Sequence, residues 1–588
     1  MAKTESSFSR IITRRTFLCG SATICAGVST LKTLPAFAWQ KVSPNTDYSS
    51  VTEKIKQMLP AAMALKDITG ASVALVDAEK VIWSEGFGYT SRSNKVKVTG
   101  DTLFHVGSIS KSFTALGVLK AADKGLLALD DPIKEHLPWF RVNSRFGAAE
   151  AEGITVRHLL SHHSGLGTWS PLGNPSDPQY HTRTFEEIVK STSDSWLKFR
   201  PGERFEYSNQ GINLAGHALV VTSGRPFADV MREEILAPLG MTNSTFNQAE
   251  VTQKEDCAVG YLGKRLVPIV NGIVMPLVAA GGLFASANDL ARFVIAHLQG
   301  GAGVHEKVIS QRLLQEMYSP QCTATNQVSG YGLGIYRAVQ HDTVRLSHGG
   351  LGYGISAHYR FLPEHGIGVV LLTNQDAAHN APDLASRIIE LMLAARLGAV
   401  PKNQPLNPGK STITLDDSAL RRLEGTYLLY EGIVFRFKYE RGKLFHLVGN
   451  EKLELEAHSS TEFTRGSRRY RFVLAENGKP KGVQIFDPYY DPQTAENSVT
   501  YLPVNDTPAD KGGLIKPAWS RHIGGYAGTF IDATTEAKVS LENGYLYLNR
   551  AQRLTEARPD LFFTADGDAV IFKDAALTVG NKLYSKKK

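Results

Sequence analysis

The spacing of apolar and polar positions changes several times along the chain, and each change predicts an element. In GASVALVDAEKVIWSEGFG, which starts at Gly70, apolar and polar residues alternate on both sides of a charged break. Alternation predicts a β-hairpin, because successive strand side chains point to opposite faces. In HVGSISKSFTALGVLKAADKGL, which starts at His105, the period lengthens. A helix opening near Ser108 puts Phe113, Leu116 and Leu119 on one face, with Gly117 allowing close packing and Gly125 acting as a stop. RLSHGGLGYGISAHYRFLPEHGIGVVLLTN, from Arg345, gives an alternating strand, a turn at Pro363 and an apolar strand ending at Asn374, which reads as a hairpin in a central sheet. DLASRIIELMLAARLG then carries a helical period that ends at Gly398.

After Gly398 the pattern changes for good. VPKNQPLNPGK is proline-rich and polar and reads as a linker, and VNDTPADKGGLIKP makes a second break near residue 510. The segments after these breaks are short strands and turns, apart from a helical entry at DDSALRRL. They also resemble each other. Gly425, Thr426 and Tyr427 align with Gly528, Thr529 and Phe530, and further on Phe463-Thr464 and Phe472 align with Phe563-Thr564 and Phe572. We read an internal repeat of roughly 100 residues, each copy a small all-β, barrel-like domain that protects its strand edges by wrapping round. The expected organisation is an α/β domain over 45–398, a linker over 399–411, and β domains over 412–507 and 518–588.

Composition refines this picture. At 588 residues, 42% hydrophobic and 21% charged, the chain reads as a multi-domain globular protein. The first 38 residues have the look of a removable leader: paired Arg14 and Arg15, a short apolar run, and Ala36-Phe37-Ala38 as a small-x-small cleavage site. This predicts twin-arginine export with cleavage after Ala38 and a periplasmic or secreted product. The apolar run is shorter than the roughly 20 residues a spanning helix requires, so no transmembrane segment is expected once the leader is removed. The formal net charge of +8 falls to +4 without the leader's five basic residues and one acid. That balance does not call for nucleic acid. Cys257 and Cys322 remain after cleavage and are able to pair in an oxidising compartment, but two cysteines do not specify a disulfide. Nothing in the composition calls for a metal or cofactor.

The candidate chemistry begins at Ser108-x-x-Lys111. A spacing of three brings hydroxyl and amine to one helix face, a nucleophile beside a base. The same spacing recurs at Ser29–Lys32, Ser195–Lys198 and Ser585–Lys588, so the motif alone has little specificity. At Ser108 it also opens a helix, whose N-terminus is suited to stabilising an oxyanion. Tyr207-Ser208-Asn209 precedes another apolar helical run. A phenol there is able to relay the serine proton, and the Asn209 amide is able to hold the lysine and bind a substrate amide. His348-Gly349-Gly350 opens the third element, where glycines let a substrate approach the strand backbone. Which of Lys111 and Tyr207 is the base does not follow from residue type.

Taken in order, Ser108-x-x-Lys111, Tyr207-x-Asn209 and His348-x-Gly350 resemble the serine β-lactamase and penicillin-binding-protein superfamily in its class C-like branch. ITVRHLLSHHSGL, EEILAPLGMTNSTF, AAGGLFASANDLARF and YGLGIYR are similar to connecting motifs of that branch. The resemblance covers about 350 residues. It implies an α/β core flanked by helices, an acyl-enzyme at Ser108, and an oxyanion hole formed by the Ser108 and Leu351 N–H groups. Class C β-lactamases usually carry lysine where this chain has His348. An imidazole with a reference pKa near 6.5 is mostly neutral at pH 7 and favours a substrate carboxylate less. Relatives with H-x-G include D-aminopeptidases, esterases and amidases, and the D-aminopeptidases carry two β-barrel domains after the catalytic one.

The expected function is therefore an exported serine hydrolase acting on an amide or ester, with a small peptide or amide containing D-amino acids as the expected substrate. A β-lactamase or D,D-carboxypeptidase is the alternative, and a non-catalytic envelope binding protein is the alternative of a different class. The expected partner is a small-molecule or short-peptide substrate, and the oligomeric state does not follow from the sequence.

Overall fold

The computed structural model describes residues 46–588 apart from 175–178, 204, 252–253, 263–266, 269–275, 323–329, 341–342, 353, 376–379 and 399–411. In the C-terminal third, 430–432, 449–450, 466–467, 475–477, 487–498, 505–527, 532–535, 543–544, 550–551, 559, 565–567, 574–575, 581 and 587–588 are likewise not described. The leader, the linker and the second break fall outside the described residues.

The hairpin predicted from Gly70 forms as β1 (Gly70–Asp77) and β2 (Lys80–Gly88). The remaining strands of its sheet are β3 (Gly330–Tyr331), β4 (Tyr336–Gln340), β5 (Thr343–Gly352), β6 (Ile355–Leu362) and β7 (Ile367–Thr373). All pair antiparallel in the order β2-β1-β7-β6-β5-β4-β3. The order places β1 inside the sheet, between β2 and β7, although β1 and β7 are almost 300 positions apart in the chain. Every residue of β1 is buried, and its alternation sorts side chains between two cores. Val73 and Leu75 join Val369 and Leu371 on one face, while Ala74 and Val76 join Val370 and Leu372 on the other.

The first of these faces is covered by α1 (Ser49–Leu65) and α5 (Asn380–Leu397), which contribute Ile55, Leu59, Ile388 and Met392. Each such side chain, fully removed from water, stabilises the fold by about 1.5–3 kcal/mol. Gly398 follows α5 with φ of +70°, as a stop requires. The opposite face packs on α4 (Ala287–Leu298) through Leu290, Phe293 and Val294, and on the helical region that includes α2 (Ser110–Asp123) and α3 (Asn209–Ser223). Helix α2 differs from expectation. Every residue from Ser110 to Leu119 is buried, polar ones included, because the helix is enclosed by the sheet, α3 and the turn Val278–Gly281. Gly117 permits the close packing expected there: a Cβ would come within 2.8 Å of the Met231 sulfur, and that side chain would have to shift.

Beyond residue 411 one short helix, Asp417–Arg421, is capped by Asp416, and the other described elements are strands. In the first tail Gly425–Leu429 pairs with Val499–Val504, its last strand, and in the second Gly528–Ile531 pairs with Lys582–Lys586. First-to-last pairing gives the barrel-like wrap expected, without an unbroken ladder around it. Tyr427 and Phe472 lie in the first tail's core, and their counterparts Phe530 and Phe572 in the second's. Cys257 is buried, Cys322 is exposed, and both are free. Among the described residues no helix is long and apolar enough to cross a membrane, and no group of three or more His, Cys, Asp or Glu is placed to hold a metal.

Candidate active site

The chain enters α2 through a single 3-10 turn, Gly107–Ile109, so Ser108 lies just ahead of the α-helix rather than within it. Gly107 adopts φ of +51°, a conformation that costs glycine least. Ser110 staples the entry: its Oγ donates to the Gly107 carbonyl at 2.6 Å and accepts from the Leu283 N–H at 3.0 Å. On the same helical face, Lys111 Nζ lies 2.9 Å from Ser108 Oγ and 2.7 Å from the Ala280 carbonyl. Lys111 is 0% exposed, and burial holds its pKa well below the ordinary lysine value. A neutral amine in this place donates to the carbonyl and accepts from the hydroxyl.

Tyr207 lines the same cavity, about 390 Å³ in volume, as Ser108, Tyr336, His348 and Leu351. Lys111 Nζ stands 4.8 Å from its ring centroid. Burial, then the neighbouring Tyr336, raises the phenol's pKa, partly offset by a hydrogen bond with Ser108. The Tyr207 segment is pinned from behind. The Ser208 N–H donates to His162 Nδ1 at 3.1 Å, and Ser208 Oγ donates to the Gly167 carbonyl at 2.8 Å while capping α3 through the Gly211 N–H at 3.0 Å. The His162 ring lies 4.4 Å from that of Tyr207 and 4.7 Å from that of Tyr331. Asn209 is buried as the first residue of α3, its N–H donating to the Thr168 carbonyl at 2.9 Å. Among the described residues Lys111 has no hydrogen bond to the Asn209 amide; the Ala280 carbonyl takes that place.

His348 sits on β5, 2% exposed. Its Nδ1 is 2.7 Å from the Gly349 carbonyl, which only accepts, so Nδ1 carries the hydrogen. Nε2 therefore accepts from the Tyr331 hydroxyl at 3.0 Å. Burial lowers the imidazole pKa to about 3, so it is neutral at pH 7. Next to it, Gly350 touches the nucleophile's turn: a Cβ there would lie 1.9 Å from the Val106 carbonyl oxygen and 3.2 Å from the Ser108 nitrogen. A Cβ on Gly107 would lie 3.2 Å from the Leu351 nitrogen. The two backbone amides expected to form an oxyanion hole thus flank one junction.

Gly350→Ala is expected to push β5 away from Ser108, because backbone has no rotamer with which to yield. Activity should fall at least about 100-fold, with a stability loss of about 1–3 kcal/mol. Steady-state kinetics and urea unfolding of the purified variant check this, and wild-type activity in the variant would contradict it.

Sequence reasoning passed over Ala280, Tyr331 and His162. Each lies inside a stretch noted for its family resemblance, but a backbone carbonyl leaves no residue signature, and the tyrosine and histidine act only through folded neighbours. Ser195–Lys198 proves structural. Lys198 pairs with Glu206 at 2.7 Å and with Asp568 of the second β tail at 3.3 Å, tying that tail to the segment leading into Tyr207.

Residues 55–393 match the family described as Beta-lactamase. The chain is 31% identical over 204 residues to Protein flp of Staphylococcus aureus (strain COL), covering 35% of this chain and 40% of the relative's length. It is 26% identical over 455 residues to penicillin-binding protein 4* of Bacillus subtilis (strain 168), covering 72% of this chain and 96% of that one. Among solved structures, an octameric penicillin-binding protein homologue from Pyrococcus abyssi superposes with a TM-score of 0.54 at 26% identity, covering 74% of this chain and 96% of the other.

Proposed function

The chain belongs to the beta-lactamase family, whose members are serine hydrolases, and from that premise we propose that it hydrolyses an amide or ester through an acyl-enzyme at Ser108. Ser108 Oγ attacks the substrate carbonyl as its proton passes to the neutral Lys111 amine. The Ser108 and Leu351 N–H groups receive the oxyanion. Collapse of the tetrahedral intermediate breaks the bond to the leaving group, which takes the proton by way of Lys111 and Tyr207. Water then attacks the ester, the same groups remove its proton, and the acid leaves with Ser108 restored. Lys111 is preferred as base because burial favours its neutral form, whereas burial disfavours ionisation of Tyr207. Asn209 serves the substrate amide in this reading.

A single observation carries the substrate class. His348, at the place where a lysine would hold a carboxylate, is neutral and occupied by Tyr331. Substrates without a carboxylate beside the scissile bond are favoured, in this reading small D-aminoacyl amides or peptides. Twin-arginine export with cleavage after Ala38 belongs to the same reading, supported by Arg14, Arg15 and Ala36-Phe37-Ala38.

The test is a panel of D-aminoacyl amides, D-alanyl dipeptides, short p-nitrophenyl esters and nitrocefin, run on wild type and Ser108→Ala, with intact-mass analysis after a serine-directed phosphonate. D-aminoacyl amides and esters should turn over, and only wild type should gain the phosphonate mass. Rapid nitrocefin turnover with inert D-aminoacyl amides would overturn the substrate class. A wild type that takes up no phosphonate would overturn the hydrolase reading in favour of a binding protein.

A further inference from the structure

A second cavity lies on the helical side of the catalytic domain, outside the site described above. It measures about 660 Å³, within the range of small-molecule sites, and its walls include Phe185, His217, Phe227, Phe246, Val278 and Gly282. The lining is mostly apolar, with one ring that is not. His217 is 6% exposed, and neither of its nitrogens has a hydrogen-bond partner among the described residues. Nδ1 is sealed against its surroundings and Nε2 is not, which leaves Nε2 as the ring's polar outlet. Trp139 and Phe185 hold the imidazole edge-on and tilted, with centroids 5.9 Å away in each case. Glu186 at the rim is paired with Lys190.

The walls also touch the catalytic machinery. Val278 and Gly282 bracket the Val278–Gly281 turn, whose Ala279 and Ala280 carbonyls point to α2 and accept from Thr114 and Lys111, each at 2.7 Å. One helical turn before His217, Asn213 Oδ1 accepts from the Ala280 N–H at 2.9 Å. The turn and α3 are packed so closely that a Cβ on Gly216 would lie 2.3 Å from that of Ala279. A molecule pressing on His217 and Val278 therefore bears on both bonds that place the acceptor of Lys111.

We propose that this cavity binds a small uncharged phenol or alcohol, its ring or chain against the phenylalanines and its hydroxyl on His217 Nε2, and that occupation changes catalysis at Ser108. A hydroxyl fits because it both donates and accepts, matching either imidazole tautomer, and among the described lining residues no lysine or arginine offers a carboxylate a counter-charge.

The test uses the full chain with p-cresol, toluene and 4-methylbenzoate, measured by calorimetry on wild type, Ala228→Trp, Gln248→Trp and His217→Phe. The first two variants fill the cavity from partly exposed positions, so at least one should fold normally. Wild type should bind p-cresol saturably, at least fivefold tighter than toluene or 4-methylbenzoate. Either filling variant should weaken p-cresol at least tenfold, and His217→Phe should erase the preference over toluene. Saturating p-cresol should change kcat/KM for a p-nitrophenyl ester at least twofold in wild type and not in the filling variants. No saturable binding, binding untouched by both tryptophans, or tighter binding of the benzoate overturns the site. An unchanged kcat/KM overturns the coupling alone. The calorimetry is equally readable in Ser108→Ala, so failure of the hydrolase reading remains distinguishable.

Discussion

Lys111→Met is expected to lower kcat/KM for every ester or amide the protein turns over by about 10³- to 10⁴-fold, toward the upper end of what a positioned general base supplies, while leaving thermal stability unreduced. The two halves have one cause. An amine with 0% exposure resists protonation, and that resistance makes it a base at neutral pH. It also makes the lysine expensive to bury, so an apolar chain of similar length removes the cost along with the chemistry. The pH profile gives an independent reading. In wild type the rate should rise with pH as Lys111 loses its proton, along a limb centred well below the ordinary lysine value of 10.5. In Lys111→Met that limb should vanish. Stability follows the same sign. Between the lowered native pKa and the ordinary one, the unfolded chain binds more protons than the native state, so wild-type stability climbs with pH across that window. Stopped-flow kinetics and denaturant titrations over pH 5–10 decide the matter; residual activity within tenfold of wild type, or a limb that survives the substitution, refutes the assignment.

The second large effect is acid unfolding, and it comes from histidines. Burial brings the pKa of His105 and His163 to about 4 and that of His297 and His348 to about 3. In the unfolded chain each returns to near 6.5. Below that pH the unfolded state takes up protons that the native state refuses, so stability present at pH 7 is lost as pH falls from about 6.5 toward about 4. Each such group contributes a slope of up to about 1.4 kcal/mol per pH unit. Four together approach about 5 kcal/mol per unit, against a total domain stability of about 5–15 kcal/mol. Cooperative unfolding should therefore set in between about pH 5 and pH 4. The urea midpoint followed by circular dichroism measures it. A midpoint unchanged between pH 7 and pH 5 would mean that these rings are protonated in the native state. His297, whose Nδ1 lies 2.5 Å from the Tyr318 hydroxyl and whose ring packs 4.2 Å from Phe293, offers the cleanest single variant, since it is remote from the Ser108 cavity. His297→Gln should flatten the slope by its own share, up to about 1.4 kcal/mol per pH unit.

How much of this was legible in the chain depends on how local each feature is. Ser108 and Lys111 are three positions apart, so helical geometry alone brings them together. The hairpin at Gly70 and the stop at Gly398 were readable for the same reason, since period and turn residues are properties of short windows, and the matching core positions Tyr427 and Phe530, and Phe472 and Phe572, were readable because short patterns recur. Tyr207 and His348 were named through order and family resemblance, not through any distance the sequence contains. Ala280 escaped because its contribution is a backbone carbonyl, which every residue has. Tyr331 escaped because its effect, the hydrogen bond to His348 Nε2, exists only in the folded sheet, where the two residues reach each other across the intervening β4.

The amino-acid order by itself determined the element types and the closeness of Ser108 to Lys111, since each arises from interactions among near neighbours. The tertiary structure decided the ionisation states. Enclosing α2 on every side removed water from Lys111, and burying His348 on β5 made it a neutral group. Solvation and charge depend on what lies within a few ångströms in space, and those neighbours come from segments as distant in the chain as β1 and β7.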